Sequence, residues 1–292
     1  MQLDLFLHSA DVQLRNAVIA ALYARDAEAM RIALDRLLAE FPNDLHHADF
    51  EHLYSELSAL SQEAGSASAI AQRVERIETR LQPPLQKMIG TDAAQHWIEP
   101  VYGQLARAAS GQAFTRSLAQ AYAGGLFLRA NELALARASV LAIPSWRRIP
   151  EALAWMTEIA LREDKPDEYW PLVAELAWIA PALLAALLAV GVHCAAPATV
   201  LRYYREFCSE AEADGETDEI VWFPAWLMIE HAELLPWLRT AHPHDSRPAR
   251  SAALLIDLLL GERRGLTPAV VDKRQQLRDL APAIFARYMA RR

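Results

Sequence analysis

The chain has 292 residues, of which 53% are hydrophobic and 23% are charged, the balance of a globular protein with a substantial core. Glycine occurs only 10 times, and the abundance of alanine and leucine favours helix over sheet. The formal net charge is -8, whereas a protein that binds a phosphate backbone usually carries a basic surface. Direct nucleic-acid binding is therefore not expected, although one C-terminal stretch is locally basic: Lys273, Arg274, Arg278, Arg287, Arg291 and Arg292.

The cysteines and the first residues predict a cytoplasmic protein. Cys194 and Cys208 have the spacing of neither a metal site nor a disulfide framework, so we expect two reduced thiols. The N-terminus has no basic segment and Asp4 interrupts its apolar residues, so no signal peptide is expected. Residues 176–201 contain no Asp, Glu, Lys or Arg. Pro181 and Pro197 interrupt this stretch, which favours a buried core helix over a membrane span.

The first half of the chain predicts a series of amphipathic helices. Apolar residues recur at helical spacing over 14–22 and again over 30–41. Asp26 is a suitable N-cap and Pro42 ends the second helix, so the pair is expected to fold back as an antiparallel hairpin. A third helix ends before the small-residue connector at 64–68. The next runs over 70–88, with a kink at Pro83-Pro84 and an end at Gly90, and Thr91 or Asp92 then caps its successor.

Weak repeats predict how these helices are arranged. The segments 26–42, 131–144 and 167–181 each begin with a polar cap, run for about four turns and stop at a proline. This plan resembles that of tetratricopeptide-type (TPR) repeats, although most of the consensus small and aromatic positions are missing. The resemblance implies an all-α fold without a sheet, a right-handed α-solenoid of antiparallel helix pairs over residues 9–292. Possible sub-boundaries lie near 64–68 and in the acidic stretch 210–219.

No pattern of catalytic residues is found in the sequence. Phosphate-binding glycine loops, the GxSxG nucleophile turn and the HExxH zinc motif are all missing. Two groups contain the residue types of a metal site: His46, His47, Asp49 and His52, and His242, His244 and Asp245. Adjacent helical positions point apart, and the second group lies in a proline-broken loop, so exposed histidines are the preferred interpretation. We therefore expect no metal, no cofactor and no enzyme activity; an unrecognised site at His242, His244 and Asp245 is the enzyme alternative.

A tryptophan-rich block near the C-terminal third offers a possible second binding surface. Trp222, Trp226 and Trp237 could line a peptide groove, because aromatic side chains are favoured binding anchors. Trp222 and Trp226 are also four residues apart, the spacing of two core positions on one helix. Both alternatives, surface and core, follow from the sequence.

The first residues carry the most specific motif. Gln2, Leu3, Asp4, Leu5 and Phe6 read QLDLF, which resembles the short peptide by which bacterial polymerases and repair proteins bind the ring-shaped DNA sliding clamp. The family pattern is Gln-Leu-Ser/Asp-Leu-Phe, and every position matches. The resemblance implies that Gln2 enters a small polar pocket, while Leu5 and Phe6 fill the main hydrophobic pocket with support from Leu3. Such peptides are met more often at a C-terminus or in a linker than at residue 2.

These patterns predict a non-enzymatic adaptor. Ser9 or Asp11 should cap the first helix and leave residues 1–8 as an extended tail that docks on the clamp. The helical body would then carry a second protein partner in replication or repair. In the alternative, the tail packs on the first hairpin, and the protein is a repeat scaffold or chaperone-type protein unrelated to DNA.

Overall fold

A computed structural model of the chain describes residues 9–60, 65–189, 196–214, 219–262, 265 and 267–292, with side chains omitted for 211–214. Within these ranges the protein is helical and contains no strand, as composition and periodicity predicted. The chain forms two compact units, Met1–Ala136 and Arg137–Arg292. The division falls inside one helix, away from the two positions, near 64–68 and 210–219, that the sequence suggested.

The first unit consists of helices that pack largely on their neighbours in the chain. A π-helical turn, Ile77–Leu81, and a 3-10 turn, Arg116–Ala121, connect some of them. The helices are α1 (Ala10–Tyr23), α2 (Ala27–Glu40), α3 (His47–Leu60), α4 (Ala67–Arg76), α5 (Gln82–Ile89), α6 (Thr91–Ala109), α7 (Ala123–Arg129) and α8 (Leu133–Leu141), the last of which continues into the second unit.

The predicted hairpin of α1 and α2 is present, and Asp26 caps the second helix as predicted. The Asp26 side chain accepts a hydrogen bond from the backbone N–H of Ala29 at 2.9 Å, which satisfies a donor at the start of α2. Trp97 of α6 donates its indole N–H to the carbonyl of Leu22 at 2.7 Å. Arg25 returns two hydrogen bonds to the carbonyl of Trp97. The turn of the hairpin is thereby fixed to α6.

Three helix-to-helix turns of the chain have the same backbone geometry. Arg25, Asn131 and Asp164 each adopt a left-handed conformation, with φ of 56°, 59° and 50°. At each turn the N–H of the next residue reaches back five residues to a helix carbonyl, from Asp26 to Ala21 in the first case. This is the Schellman ending of a helix. The second and third turns lie 33 residues apart (164 minus 131), and each is followed at once by another helix.

The predicted proline kink takes the form of a π-helical turn. Residues 67–89 are continuous helix, as the periodicity indicated, but Ile77–Leu81 is wound more widely than the α-helix on either side. Pro83 and Pro84 follow after Gln82 and have no N–H to give to the carbonyls of the preceding turn. Widening that turn accommodates the missing donors without ending the helix.

The second unit is arranged around one central helix. Its helices are α9 (Pro150–Arg162), α10 (Pro166–Ile179), α11 (Pro181–Ala189), α12 (Ala198–Asp214), α13 (Phe223–Glu230), α14 (Leu235–Leu238), α15 (Arg247–Glu262), α16 (Pro268–Leu280) and α17 (Pro282–Ala290). Short 3-10 turns occur at Trp146–Arg148, Ile220–Trp222 and Ala232–Leu234. Helix α10 packs against α9, α11, α13 and α14, and all its residues from Tyr169 to Trp178 are buried. A helix whose buried residues are apolar except for one carboxylate, Glu175, belongs in a core.

The charge-free stretch 176–201 does not form one helix in the part that the structure describes. It contributes the end of α10, then α11, and the start of α12 at Ala198. No helix among the described residues has the length and apolar character needed to cross a membrane.

Candidate binding groove

The predicted clamp-binding residues, Gln2, Leu3, Asp4, Leu5 and Phe6, lie outside the described residues. The first described element is α1, whose N-cap Ser9 has extended backbone angles. Of the two predicted caps, Ser9 and Asp11, Ser9 occupies the N-cap position. Its side chain makes no capping hydrogen bond.

The tryptophan block lies mainly in the core of the second unit. Trp222 is 9% exposed and Trp226 is 3% exposed, which is what the core alternative requires. The indole N–H of Trp226 donates to Glu210 at 3.0 Å, and its ring meets Phe207 edge-on at 5.8 Å. Trp237 is half-buried. In this conformation Trp222 and Trp226 offer little surface to a partner.

The basic C-terminal residues are held by carboxylates. Glu230 binds Arg287 and Arg291, and Glu262 binds Arg274 and Arg292. Lys273 and Arg278 in turn face Asp257 and Asp279. Each cation therefore faces a carboxylate, although Glu230 and Glu262 are each shared by two arginines.

The two histidine groups do not converge on a metal ion. Among the described residues, no three His, Cys, Asp or Glu side chains stand close enough to hold one. His52 instead bonds the carbonyl of Arg80 at 2.9 Å. His242, His244 and Asp245 lie elsewhere, on the wall of a cleft that the sequence did not predict.

That cleft consists of two adjoining cavities along one face of α10, which we call the α10 groove. The cavities have volumes of about 380 and 470 Å³ and share Arg147. The same three segments line both cavities: the 3-10 turn Trp146–Arg148, α10 and the stretch 240–245. Residues 168, 172, 175 and 179 follow helical spacing, so they share one face of α10. At 1.5 Å per residue, this face is about 16 Å long.

Glu175 holds the three segments together. Its side chain is only 1% exposed. Both of its oxygens accept hydrogen bonds from Nη1 of Arg147, at 2.6 and 2.7 Å, and Oε1 also accepts the backbone N–H of His242 at 2.8 Å. A buried carboxylate needs such partners because it has lost its water. The bonds join the 3-10 turn and the stretch 240–245 to α10.

The smaller cavity combines four large apolar residues with the charged residues Arg137, Arg147, Asp167 and Glu168. The apolar residues are Leu141, Trp146, Met156 and Leu172. Leu141 is 56% exposed, so its side chain lies at the rim rather than in the core. Arg137 stands at the edge of this cavity, fixed to Glu163 at 2.5 Å and Glu168 at 2.6 Å. Burial alone would lower the pKa of Arg137, but these two carboxylates raise it instead.

The larger cavity contains one uncompensated cation. Arg147 is neutralised by Glu175, and Asp245 lies 3.8 Å from Arg250. Arg148 lines the larger cavity and is exposed. Within the described chain its side chain has no hydrogen-bond or ion-pair partner. The larger cavity therefore presents an available guanidinium group, beside the rings of His242 and His244.

Sequence reasoning missed Trp146, Arg147, Arg148 and Glu175. One signal for the site was present: Glu175 is the only charged residue between 169 and 189. A lone carboxylate in an apolar helix indicates a buried, partnered charge. Its partners could not be predicted, because they lie 28 and 67 residues away in the chain.

Comparison with known proteins does not place the chain in a family. No family model, curated protein or solved structure matches it at a significant level.

Proposed function

We propose that the protein is a non-enzymatic helical adaptor whose N-terminal QLDLF peptide docks on a DNA sliding clamp, while its helical body binds a second protein. The observation that carries the clamp assignment is the five-position match at Gln2, Leu3, Asp4, Leu5 and Phe6. The motif ends before α1 begins at Ala10. Docking would thus not require any residue of that helix to unwind.

The recurrence of one turn geometry supports a TPR-like arrangement of the helical body. The Schellman turns at Asn131 and Asp164 are one repeat length apart, close to the roughly 34 residues of a TPR unit. Stacked helix pairs of this kind offer extended surfaces to partner segments. The α10 groove supports binding by the body, because it is an open, lined cleft on the second unit.

The test is binding of the full chain to the purified sliding clamp of its source organism, measured by surface plasmon resonance. We expect saturable binding that is lost in the Leu5→Ala/Phe6→Ala variant, since those residues are the two apolar anchors. Leu45→Ala is the matched control, because Leu45 is 91% exposed and lies in the same unit. No binding by the unmodified chain would refute the clamp assignment. A lower melting temperature of the double variant would instead favour a tail that packs on its own body.

A further inference from the structure

We propose that the α10 groove binds an extended segment of a partner protein that carries a carboxylate beside a large apolar side chain. The inference rests on the proposed adaptor role and specifies the chemistry of its second partner. The carboxylate would bind Arg148 in the larger cavity. The apolar side chain would enter the smaller cavity at Leu141 and Trp146.

The dimensions of the groove fit a short extended peptide. The lined face of α10 is about 16 Å long, and an extended chain advances about 3.3 Å per residue. The groove thus accommodates about five residues. Its two cavities are joined at Arg147, so one continuous segment can fill both.

The charges of the larger cavity favour a single carboxylate, whereas exposed Asp167 would repel one from the smaller cavity. Arg147 is already neutralised by buried Glu175, and Asp245 faces Arg250. Arg148 is left as the one cation of the larger cavity that has no partner among the described residues. One negative charge balances it, whereas a phosphate group would carry nearly two. A guanidinium and a carboxylate also form a charge-assisted pair with specific geometry.

The apolar residues of the smaller cavity explain why a hydrophobic neighbour is required. Leu141 is among the large hydrophobic residues that remain exposed, at 56%, and it stands beside the half-buried ring of Trp146. Covering this surface with a Leu or Phe side chain removes apolar area from water, which favours binding. Because Glu175 fixes the walls, little ordering should be needed when the segment binds.

The probe is a set of fluorescein-labelled pentapeptide pools. In each pool one position is Leu or Phe, and a position one or two residues before or after it is Asp or Glu. Control pools carry Asn or Gln instead of the acid. Fluorescence polarisation with the full chain should show saturable binding of acidic pools only. Inorganic phosphate at about 10 mM, roughly 1,000-fold more than the protein, should not displace the acidic pools. Phosphate cannot make the apolar contacts of the smaller cavity.

Two variants test the two ends of the groove. Arg148→Gln should weaken the binding of acidic pools by about 10-fold or more, because a charge-assisted pair is lost. Leu141→Ala should weaken it by about 5-fold, because apolar contact is lost. Both residues are exposed, so helical content and melting temperature should stay unchanged. Arg36→Gln and Leu45→Ala, exposed residues of the first unit, are the matched controls.

Several outcomes would contradict peptide binding by the α10 groove. Equal binding of acidic and amide pools, displacement by phosphate, or unchanged affinity in Arg148→Gln would overturn the carboxylate assignment. Failure of every pool to bind would overturn the groove as a peptide site. Neither result affects clamp binding by QLDLF, which the Leu5→Ala/Phe6→Ala variant tests separately. Failure of this inference can therefore be distinguished from failure of the adaptor proposal.

Discussion

Glu175 offers the sharpest test of how the second unit is held together. In Glu175→Ala the backbone N–H of His242 and the guanidinium of Arg147 both lose their acceptor. The bond from the backbone N–H of His242 to the carboxylate contributes about 1 to 1.5 kcal/mol. A fully buried ion pair between Arg147 and Glu175 would contribute about 2 kcal/mol. Because Arg147 is 34% exposed, solvent screening should reduce this contribution to about 1 kcal/mol. Removal of buried methylene groups costs about 1 kcal/mol more.

Glu175→Ala should therefore lower the free energy of unfolding by about 3 kcal/mol, which corresponds to a fall in melting temperature of about 9 °C for a unit of this size. Glu175→Gln keeps the methylene groups and an acceptor for His242, so its cost should be about 1 kcal/mol.

Urea unfolding followed by tryptophan fluorescence is the suitable assay. Trp97 is the only one of the eight tryptophans outside the second unit, so the signal reports mainly on that unit. Glu168→Ala is the control: Glu168 lies on the same face of α10, but its side chain is 37% exposed and Arg137 keeps Glu163 as a partner. A cost below about 1 kcal/mol for Glu175→Ala, or equal costs for Glu175→Ala and Glu168→Ala, would refute the anchoring role of Glu175.

Three further predictions concern the core, a turn and pH. Trp226→Ala should cost about 3–5 kcal/mol in urea unfolding because the side chain is 3% exposed, and Trp237→Ala should cost less than half of that; equal costs would contradict the core assignment. Asp164→Gly should raise the melting temperature slightly, with a gain of about 0.5 kcal/mol, because glycine adopts the left-handed conformation without strain; a loss of stability would argue against the turn. Burial alone would raise the pKa of Glu210, but hydrogen bonds from Trp226 and Arg287 lower it, so Glu210 stabilises the fold above its ordinary pKa and loses this effect as the pH falls through the lowered value. Unfolding at pH 5 to roughly pH 3 should accordingly show a steeper loss for the unmodified chain than for Glu210→Gln, and parallel curves would contradict the ion pair.

Much of the fold could be predicted because its signals are local. The apolar period over 14–41 predicted the first hairpin, because Asp26 marks the start of its second helix and Pro42 marks the end. The periodicity over 70–88 predicted a continuous helix, but it could not reveal a π-helical turn, because that depends on how the carbonyls before Pro83 rearrange. The turn residues Arg25 and Asp164 were also unremarkable in sequence, since glycine is the usual signal for this conformation.

The α10 groove could not be predicted from local sequence patterns, for a different reason. It forms where the 3-10 turn Trp146–Arg148, helix α10 and the stretch 240–245 meet, and no spacing rule relates segments so far apart. In the sequence, the loop histidines His242 and His244 resemble possible metal ligands. The structure places them beside Arg147 and Arg148 instead. Only the isolated charge of Glu175 indicated that α10 had a polar partner.

The burial of α10 from Tyr169 to Trp178 has a consequence for how the second unit opens. Amide protons that are covered by several packed elements exchange with solvent only when the whole unit unfolds, whereas those of peripheral helices exchange through local fraying. Of α16, only Val270 and Leu277 are buried, so its amides should exchange early and those of residues 172–178 last. The wall of the groove that α10 provides is therefore the part of the second unit expected to persist longest, through every partial opening short of global unfolding.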